Sequence, residues 1–261
     1  MAILLRFVLL SLFAINIQAE TLSLCAYFNW SPWIYAEGES YDGILMEQLA
    51  LFREKNPNIN IDIIEIQNWK RCQLEVARGN ISMILGVNKT PEREKILDYL
   101  PRPALINRAS VEAYALANRI GPVRSLDDLK NYSLSFARGD SFGPTMDHFI
   151  KSLPKEKIHI TNGIYQSIKM VALGRVNYFL SVATSYKSTI REYNKKFRSF
   201  DHSVFEKIYT HDRAIPVFIA FGKGSGNYER YSDKWMEVIG DYHNKTNIGD
   251  RVKFHITKSG N

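Results

Sequence analysis

The chain has 261 residues, of which 45% are hydrophobic and 23% are charged, so it can form one large domain or two lobes around a packed core. Its formal net charge of +7 is spread along the sequence. The sequence has no basic stripe interleaved with aromatic residues, which is the pattern that a nucleic-acid groove requires. The sequence lacks a His-Glu-x-x-His motif and a phosphate loop, and two cysteines cannot form a zinc site alone. We therefore expect no nucleic-acid partner, no metal and no cofactor.

Residues 1–19 have the pattern of a secretory signal. Arg6 lies near the start, a largely apolar run extends from Ile3 to Ile17, and the small Ala19 precedes the expected cleavage site. The run is short for a membrane span. Leu24 before Cys25 argues against a lipoprotein anchor. Cleavage would remove Arg6 and lower the net charge from +7 to +6, so the mature protein would be mildly basic. We expect it to be periplasmic and monomeric.

The predicted elements begin with an alternation of strands and helices. Pro32 prevents continued strand pairing after the first strand, and Pro57 ends the first helix. The order strand, helix, strand predicts a parallel open sheet. In chain order we predict a strand at Thr21–Ala26, an aromatic turn at Tyr27–Trp33, a helix from Gly43 to about Asn56 and a strand at Ile59–Ile66.

The stretch from Trp69 to Pro101 combines a helix, a buried strand and a polar loop. Gly79 ends the helix, and residues 81–87 form the apolar run expected of a strand covered on both faces. The loop 86–90 then supplies a carboxamide, a hydroxyl and free backbone N–H groups, and Pro91 starts a short helix that carries Arg93. Because open α/β sheets bind ligands at the carboxyl ends of strands, and a guanidinium matches a carboxylate, this stretch predicts an anion site.

The same stretch resembles the Gly-x-x-Asp…Thr-Pro-Glu-Arg segment of the bacterial extracellular solute-binding proteins of family 3, the periplasmic amino-acid-binding group. The matching residues are Gly79, Ser82 in place of the usual Asp, and Thr90 to Arg93. Leu173 to Asn177 resembles the family's Leu-x-x-Gly-Arg-Val-Asp, with Asn177 in place of Asp. The resemblance implies an α/β fold of the two-lobe periplasmic-binding-protein type (type II), with two open, mostly parallel sheets joined by a two-crossover hinge.

On this interpretation lobe one comprises residues 20–107 and 216–261, and lobe two comprises residues 108–215. Gly174 ends a helix in lobe two, and Ser125 begins another with a capping-box pattern. The remaining predicted elements are strands at Val111–Ala117, Tyr132–Ala137, Ile158–Ile160, Tyr178–Val182 and Ala214–Phe221, and helices from Pro144 to about Leu153, at Tyr165–Leu173 and from Tyr228 to about Asn247.

The two cysteines of an exported chain suggest one disulfide, between Cys25 on the first strand and Cys72 on the helix after the second. Closing that loop would stabilise the protein by roughly 4 kcal/mol on the chain-entropy model. Two buried free thiols are the alternative.

The resemblance also assigns roles to candidate site residues. It implies that Arg93, with Asn88 beside it and Gly86 in the same loop, holds the carboxylate of a small ligand. Aromatic side chains would shape the site, although core packing explains aromatic residues equally well. The aromatic candidates are Tyr27, Trp30 and Trp69.

The segment Gly139-Asp140-Ser141-Phe142-Gly143 permits two interpretations. In the family, a Gly-Thr or Gly-Ser turn here is the lobe-two half of a ligand clamp, and a helix N-terminus suits an anion. The segment also matches the Gly-x-Ser-x-Gly nucleophile elbow, so a Ser141-dependent esterase is an alternative. Its triad partners would come from Asp201, His211, Asp212 and His243.

The ligand is expected to differ from a standard α-amino acid. The family holds the ligand's ammonium with an acid just after the strand at Tyr178–Val182, whereas residues 181–184 here read Ser-Val-Ala-Thr. A buried ammonium without a carboxylate is costly. We therefore expect a carboxylate-bearing anionic or aromatic molecule, presented to an ABC permease or a membrane sensor. An enzyme on the same scaffold, resembling cyclohexadienyl dehydratase, is the other alternative.

Overall fold

The computed structural model describes residues 20–197 and 204–260. The predicted signal, residues 1–19, and the esterase candidate Asp201 lie outside the described residues.

The elements of the first half alternate between short strands and helices. Asn68 and Thr90 each begin a helix by accepting a hydrogen bond from the backbone N–H three residues later. In chain order these elements are β1 (Glu20–Cys25), β2 (Tyr35–Glu37), β3 (Ser40–Asp42), α1 (Ile44–Lys55), β4 (Ile59–Ile63), α2 (Trp69–Ala77), β5 (Met83–Asn88), α3 (Pro91–Glu94), β6 (Leu97–Tyr99) and β7 (Leu105–Asn107).

The second half continues the pattern and ends in two helices. Ser125 and Asp128 form the predicted capping box. The elements are β8 (Val111–Leu116), α4 (Leu126–Leu129), β9 (Leu134–Ala137), α5 (Pro144–Ser152), β10 (Ile158–Thr161), α6 (Ile164–Ala172), β11 (Tyr178–Val182), α7 (Ala183–Phe197), β12 (Phe205–His211), β13 (Ile215–Gly222), α8 (Asn227–Lys245) and α9 (Ile248–Gly260), with a 3-10 turn at Lys155–Lys157.

The strands form two large sheets, one for each lobe. The first has the order β4-β1-β5-β13-β6 with β7 also paired to β13, and the second has the order β10-β9-β11-β8-β12. The chain passes from one sheet to the other at residues 108–110 and again at residues 212–214. This is the two-lobe, two-crossover arrangement that the resemblance implies, while the assignment of each boundary residue to a lobe stays a prediction.

Each sheet keeps a parallel set and adds antiparallel strands where the chain crosses between lobes. β1 is parallel to β4 and β5, and β9 is parallel to β10 and β11. The crossover strands β13 and β8 run antiparallel to all their partners, because the chain enters them from the opposite lobe. Both sheets are therefore mixed. The carboxyl ends of the parallel strands of both lobes face the space between the lobes.

The core of lobe one lies between its sheet and the helices α1 and α8. Leu45, Leu49 and Phe52 of α1 are buried, as their spacing on one face predicts. Phe52 stacks on Trp235 of α8 with ring centroids 4.4 Å apart. The predicted disulfide between Cys25 and Cys72 is confirmed, with the two Cα atoms 6.0 Å apart.

Several elements differ from the sequence prediction. The strand predicted to run to Ile66 ends at Ile63, because its pairing partner β1 ends there as well. The hairpin β2–β3, the short strands β6 and β7 and the helices α7 and α9 were not predicted. The strands β6 and β7 depend on pairing with the distant β13, whereas β2 and β3 pair with each other across a two-residue turn.

The helix α9 shows such a dependence clearly. Arg251 donates to the carboxylate of Glu47 on α1, and the buried His255 lies 3.0 Å from the same carboxylate and 2.9 Å from the Tyr35 hydroxyl. The last turn of α9 touches both lobes. The hydroxyl of Ser259 is hydrogen-bonded to that of Ser31, and its carbonyl accepts from Arg191 on α7.

No helix in the described part of the chain is long and apolar enough to cross a membrane.

Replacing Trp235 by Ala is expected to lower the free energy of unfolding by about 3–5 kcal/mol, because the side chain is fully buried against Phe52. The matched control is Phe254→Ala, which removes a 47% exposed ring and is expected to cost less than about 0.5 kcal/mol. Urea unfolding followed by circular dichroism, with the disulfide intact, measures both values. Equal losses would contradict the packing described for α8.

Candidate functional site

A cavity lies between the two lobes at the carboxyl ends of β1, β5, β9 and β11. Residues from both sheets and from the second crossover line it, together with Asn107 just before the first crossover. Every residue that the sequence analysis named as a ligand-binding candidate is among them. These residues are Tyr27, Trp30, Trp69, Gly86, Asn88, Arg93, Asp140 and Ser141.

The aromatic candidates form two separate parts of the wall. Tyr27 and Trp69 meet edge to face with ring centroids 5.7 Å apart, and both also line a second, wider cavity, so they separate the two spaces. Trp30 lies beside Gly86 and packs edge to face on the buried Trp33. Core packing therefore explains part of the position of Trp69, which is nearly buried. It explains less of the positions of Tyr27 and Trp30, which remain partly exposed.

The side chain of Arg93 is 3% exposed and connects the two lobes. Thr90 fixes the start of α3 by accepting from the Arg93 backbone N–H at 3.2 Å. The guanidinium donates through Nη1 to the backbone oxygen and the side-chain oxygen of Asn88, at 2.8 and 2.5 Å, and through Nη2 to the carbonyl of Gly139 in lobe two at 2.7 Å. Three of its five N–H donors are therefore bound within the chain.

The loop of lobe two approaches lobe one closely at Gly139. Its φ of +88° is unfavourable for residues with a side chain, and a Cβ there would lie about 3.0–3.1 Å from atoms of Lys70 at the start of α2. Gln73 adds a hydrogen bond to the Gly139 carbonyl at 3.1 Å. At the surface, Lys151 of α5 and Glu92 of α3 form an ion pair at 2.8 Å. The lobes are thus in direct contact beside the cavity.

The hydroxyl of Ser141 is already hydrogen-bonded within the chain. It donates to the carboxylate of Asp147 at 2.5 Å and accepts from Asn88 Nδ2 at 3.0 Å. The Phe142 backbone N–H also donates to Asp147, at 2.8 Å. The groups expected to clamp a ligand anion at the start of α5 therefore bind an anion of the chain itself, which sequence reasoning did not predict because Asp147 lies one turn into the helix.

The hydroxyl of Ser141 has no histidine among its hydrogen-bond partners in the described ranges, so the esterase alternative lacks a general base there. A nucleophile elbow needs a histidine within hydrogen-bond reach of its serine. Among residues 20–197 and 204–260, none of the histidines lines the cavity, and the hydroxyl of Ser141 donates to a carboxylate instead.

Asp140 supplies a carboxylate inside the cavity. Burial raises the pKa of Asp140 to about 7, while the nearby Arg93 guanidinium opposes the rise and Asp147 adds to it. Burial, and then the charge of Asp140, also raises the pKa of Tyr27. Sequence analysis placed Asp140 in the clamp loop and found no acid at residues 181–184. The cavity nevertheless contains an acid, supplied from a different strand end.

Sequence analysis missed several residues that line the cavity. The most important is Arg213, in the second crossover, whose Nε donates to the Ala109 carbonyl in the first crossover at 3.1 Å. Burial lowers the pKa of Arg213 to about 10, and the charge of Asp147 opposes this. A single Arg in a connecting segment carries no motif, so only its place at the hinge could have indicated it. The other missed residues are Asn29, Val87, Asn107, Phe142, Ile164, Leu180, Ser181, Val182, Ser185, Thr189, Ile215 and Val217.

No group of three or more His, Cys, Asp or Glu side chains in the described ranges is placed to hold a metal ion.

Comparison with known proteins identifies similar proteins by structure alone. No protein-family model and no curated protein matches the sequence. A histidine kinase sensor domain with similarity to periplasmic binding proteins is 12% identical, with a TM-score of 0.69, and the match covers 91% of this chain and 95% of that one. An ancestral arginine-binding protein bound to arginine is 15% identical, with a TM-score of 0.69 and coverage of 94% and 100%.

A third solved structure has the same similarity. The amino acid ABC transporter substrate-binding protein AbpA from Streptococcus pneumoniae, bound to L-arginine, is 13% identical, with a TM-score of 0.70 and coverage of 92% and 96%. At these identities the matches establish the fold alone. They confirm the predicted fold class, the two-lobe periplasmic-binding-protein fold.

The buried carboxyl of Asp140 predicts a pH-dependent stability. A folded-state pKa of about 7, against 3.8 for the free group, means that the folded protein binds this proton more tightly than the unfolded chain does. The resulting stabilisation is complete below about pH 4 and is lost as the pH rises through about 7. We therefore expect the melting temperature of the wild type to fall relative to that of Asp140→Asn over this range.

Melting curves of the ligand-free proteins between about pH 4 and about pH 8 test this expectation. The control is Asp127→Asn, whose carboxylate is 81% exposed and should show no such trend. A difference in melting temperature between wild type and Asp140→Asn that stays constant with pH would refute it.

Proposed function

We propose that this protein is a periplasmic solute-binding protein, a divergent relative of the family 3 proteins, that captures a small carboxylate-bearing ligand between its lobes. The observation that carries the proposal is the convergence of all the candidate residues on one cavity. They come from separate parts of the chain and from both lobes.

The proposed mechanism is closure of the two lobes around the ligand. A ligand favours the closed form only to the extent that it binds that form more tightly, which requires contacts from both lobes. The cavity satisfies this requirement, because Arg93, Asn88 and the aromatic residues belong to lobe one, whereas Asp140 and Ser141 belong to lobe two. Arg93 also bonds to Gly139 across the cleft, so the ligand-contacting residue takes part in closure itself.

The acid group of the ligand is assigned to Arg93 and Asn88. Two N–H groups of Arg93, on Nε and Nη2, have no hydrogen bond within the described residues, so they can bind a carboxylate without releasing Asn88 or Gly139. Tyr27, Trp30 and Trp69 would pack against the body of the ligand. No cofactor is required for this role.

The partner would be an ABC permease or a membrane sensor. The structural neighbours include both an ABC transporter substrate-binding protein and a histidine kinase sensor domain, so the fold is compatible with either. The mature protein is proposed to act as a periplasmic monomer. Turnover by a dehydratase-like enzyme remains the alternative, and the hydrogen-bonded state of Ser141 gives no support to an esterase.

Native mass spectrometry of the protein purified from periplasm without refolding tests the proposal. We expect a bound small molecule that is lost on denaturation. Arg93→Ala should weaken its binding by about 10–100-fold, as expected for a lost charge-assisted hydrogen bond. Arg78→Ala, which removes a 64% exposed side chain of the same lobe, is the matched control and should bind normally.

Wild-type affinity in Arg93→Ala would contradict the role given to that residue. The absence of any bound molecule, together with no thermal stabilisation by amino acids, amines, amides or carboxylates, would contradict the binding function.

A further inference from the structure

A second guanidinium in the cavity, that of Arg213, bears on the chemical class of the ligand. It lies at the hinge end, where the chain returns from β12 to β13. Its Cδ lies 4.0 Å from the position that a Cβ would take on Gly143, which has a φ of +97°. That glycine therefore allows the hinge segment to approach the start of α5.

The hydrogen bonds of Arg213 leave most of its donors free. Nε donates to the carbonyl of Ala109. Within the described residues, Nη1 and Nη2 form neither a hydrogen bond nor an ion pair. Four N–H donors of a half-buried cation that lines the cavity thus have no acceptor among the described residues. An anion that bound them would form charge-assisted hydrogen bonds without displacing a partner within the chain.

Asp147, the acid whose charge acts on Arg213, does not bind these donors. Asp147 interacts with Arg213 only at longer range. Its two carboxylate oxygens accept from Ser141 and from the backbone of Phe142 instead. An anionic group from outside the chain would fit Arg213, and the planar fork of Arg matches a carboxylate, the class of group already assigned to Arg93.

Arg93 differs from Arg213 in both bonding and surroundings. Three of its donors are bound to Asn88 and Gly139, and Asp140 lies close enough to oppose the lowering of its pKa. The two cations contact different parts of the chain, since Arg93 lies beside the Trp69 ring and Arg213 lies in the crossover. The cavity thus offers two separate places for an acid group.

Apolar side chains supply much of the remaining wall. Trp30 and Val217 both lie about 3.6–3.7 Å from the position of a Cβ on Gly86. Phe142, Leu180 and Ile215 also line the cavity. A ligand that reaches both cations would place a hydrocarbon body against these residues.

We propose that the ligand is a dicarboxylate, with one acid group on Arg93 and the second on Arg213. This inference rests on the proposed function. It adds that Arg213 is a ligand-binding residue and that a monoacid of similar shape binds more weakly.

The test compares dicarboxylates with their half-amides, which keep the shape and lose one charge. The probes are succinate, glutarate and phenylsuccinate, each beside its monoamide, and the readouts are calorimetric affinity and the mass of any molecule that co-purifies. We expect wild type to bind at least one diacid about tenfold or more tighter than its monoamide. Arg213→Gln should remove most of this difference. Arg213→Lys, which keeps the charge without the fork, should restore part of it.

Arg175→Gln, an exposed arginine of the same lobe, is the control and should behave as wild type. If Arg213→Gln does not fold, the comparison of Arg213→Lys with wild type decides, because a lost fork should still weaken diacid binding.

Equal affinity for diacids and monoamides overturns the inference, as does a difference that survives in Arg213→Gln. A co-purifying ligand with one acid group also overturns it, and in that case the proposed function stands, whereas a ligand with no acid group contradicts both. A protein that neither co-purifies nor binds any small molecule contradicts the proposed function itself.

Discussion

The buried guanidinium of Arg93 is the constraint on which the arrangement between the lobes depends. A cation that is 3% exposed must find acceptors within the protein, and the chain supplies them from two sides. Asn88 lies at the end of β5, and Gly139 lies at the end of β9 in the other lobe. Satisfying one side chain therefore brings two strand ends together and forms the wall of the cavity. The absence of a side chain at Gly139 makes this approach possible.

The charges around the cavity run from positive through negative and back to positive. Arg93 is followed by Asp140, then by Asp147 behind Ser141, and finally by Arg213 at the crossovers. Asp147 is held by donors at the start of its own helix, so it compensates Arg213 only through space. The chain therefore neutralises its internal charges incompletely at the hinge end, which is where the proposed second acid group of the ligand would bind.

Sequence reasoning succeeded where the determinants of structure are local. Thr90, Pro91 and Arg93 supply a cap, a first turn and the proposed ligand-binding side chain within four residues, and the strand before them is a single apolar run. It failed where partners are distant in the chain. The carboxylate that occupies Ser141 comes from the next helix, Arg213 gains its place from the hinge, and α9 is held by Glu47 about two hundred residues earlier. No period or motif in the sequence encodes these pairings.

Because α9 is bonded to both lobes, opening of the cleft requires more than a rotation about the two crossovers. Its first turns are anchored to lobe one through Glu47 and His255, whereas its last turn accepts a hydrogen bond from Arg191 of lobe two. Ser31, which is bonded to the same turn, also accepts from Thr184 and Ser185 at the start of α7. These hydrogen bonds join the two lobes at the end of α9. Separation of the lobes must therefore either break them or tilt the end of α9. Where these bonds hold, opening of the cleft moves the end of α9 at the outer surface of the molecule.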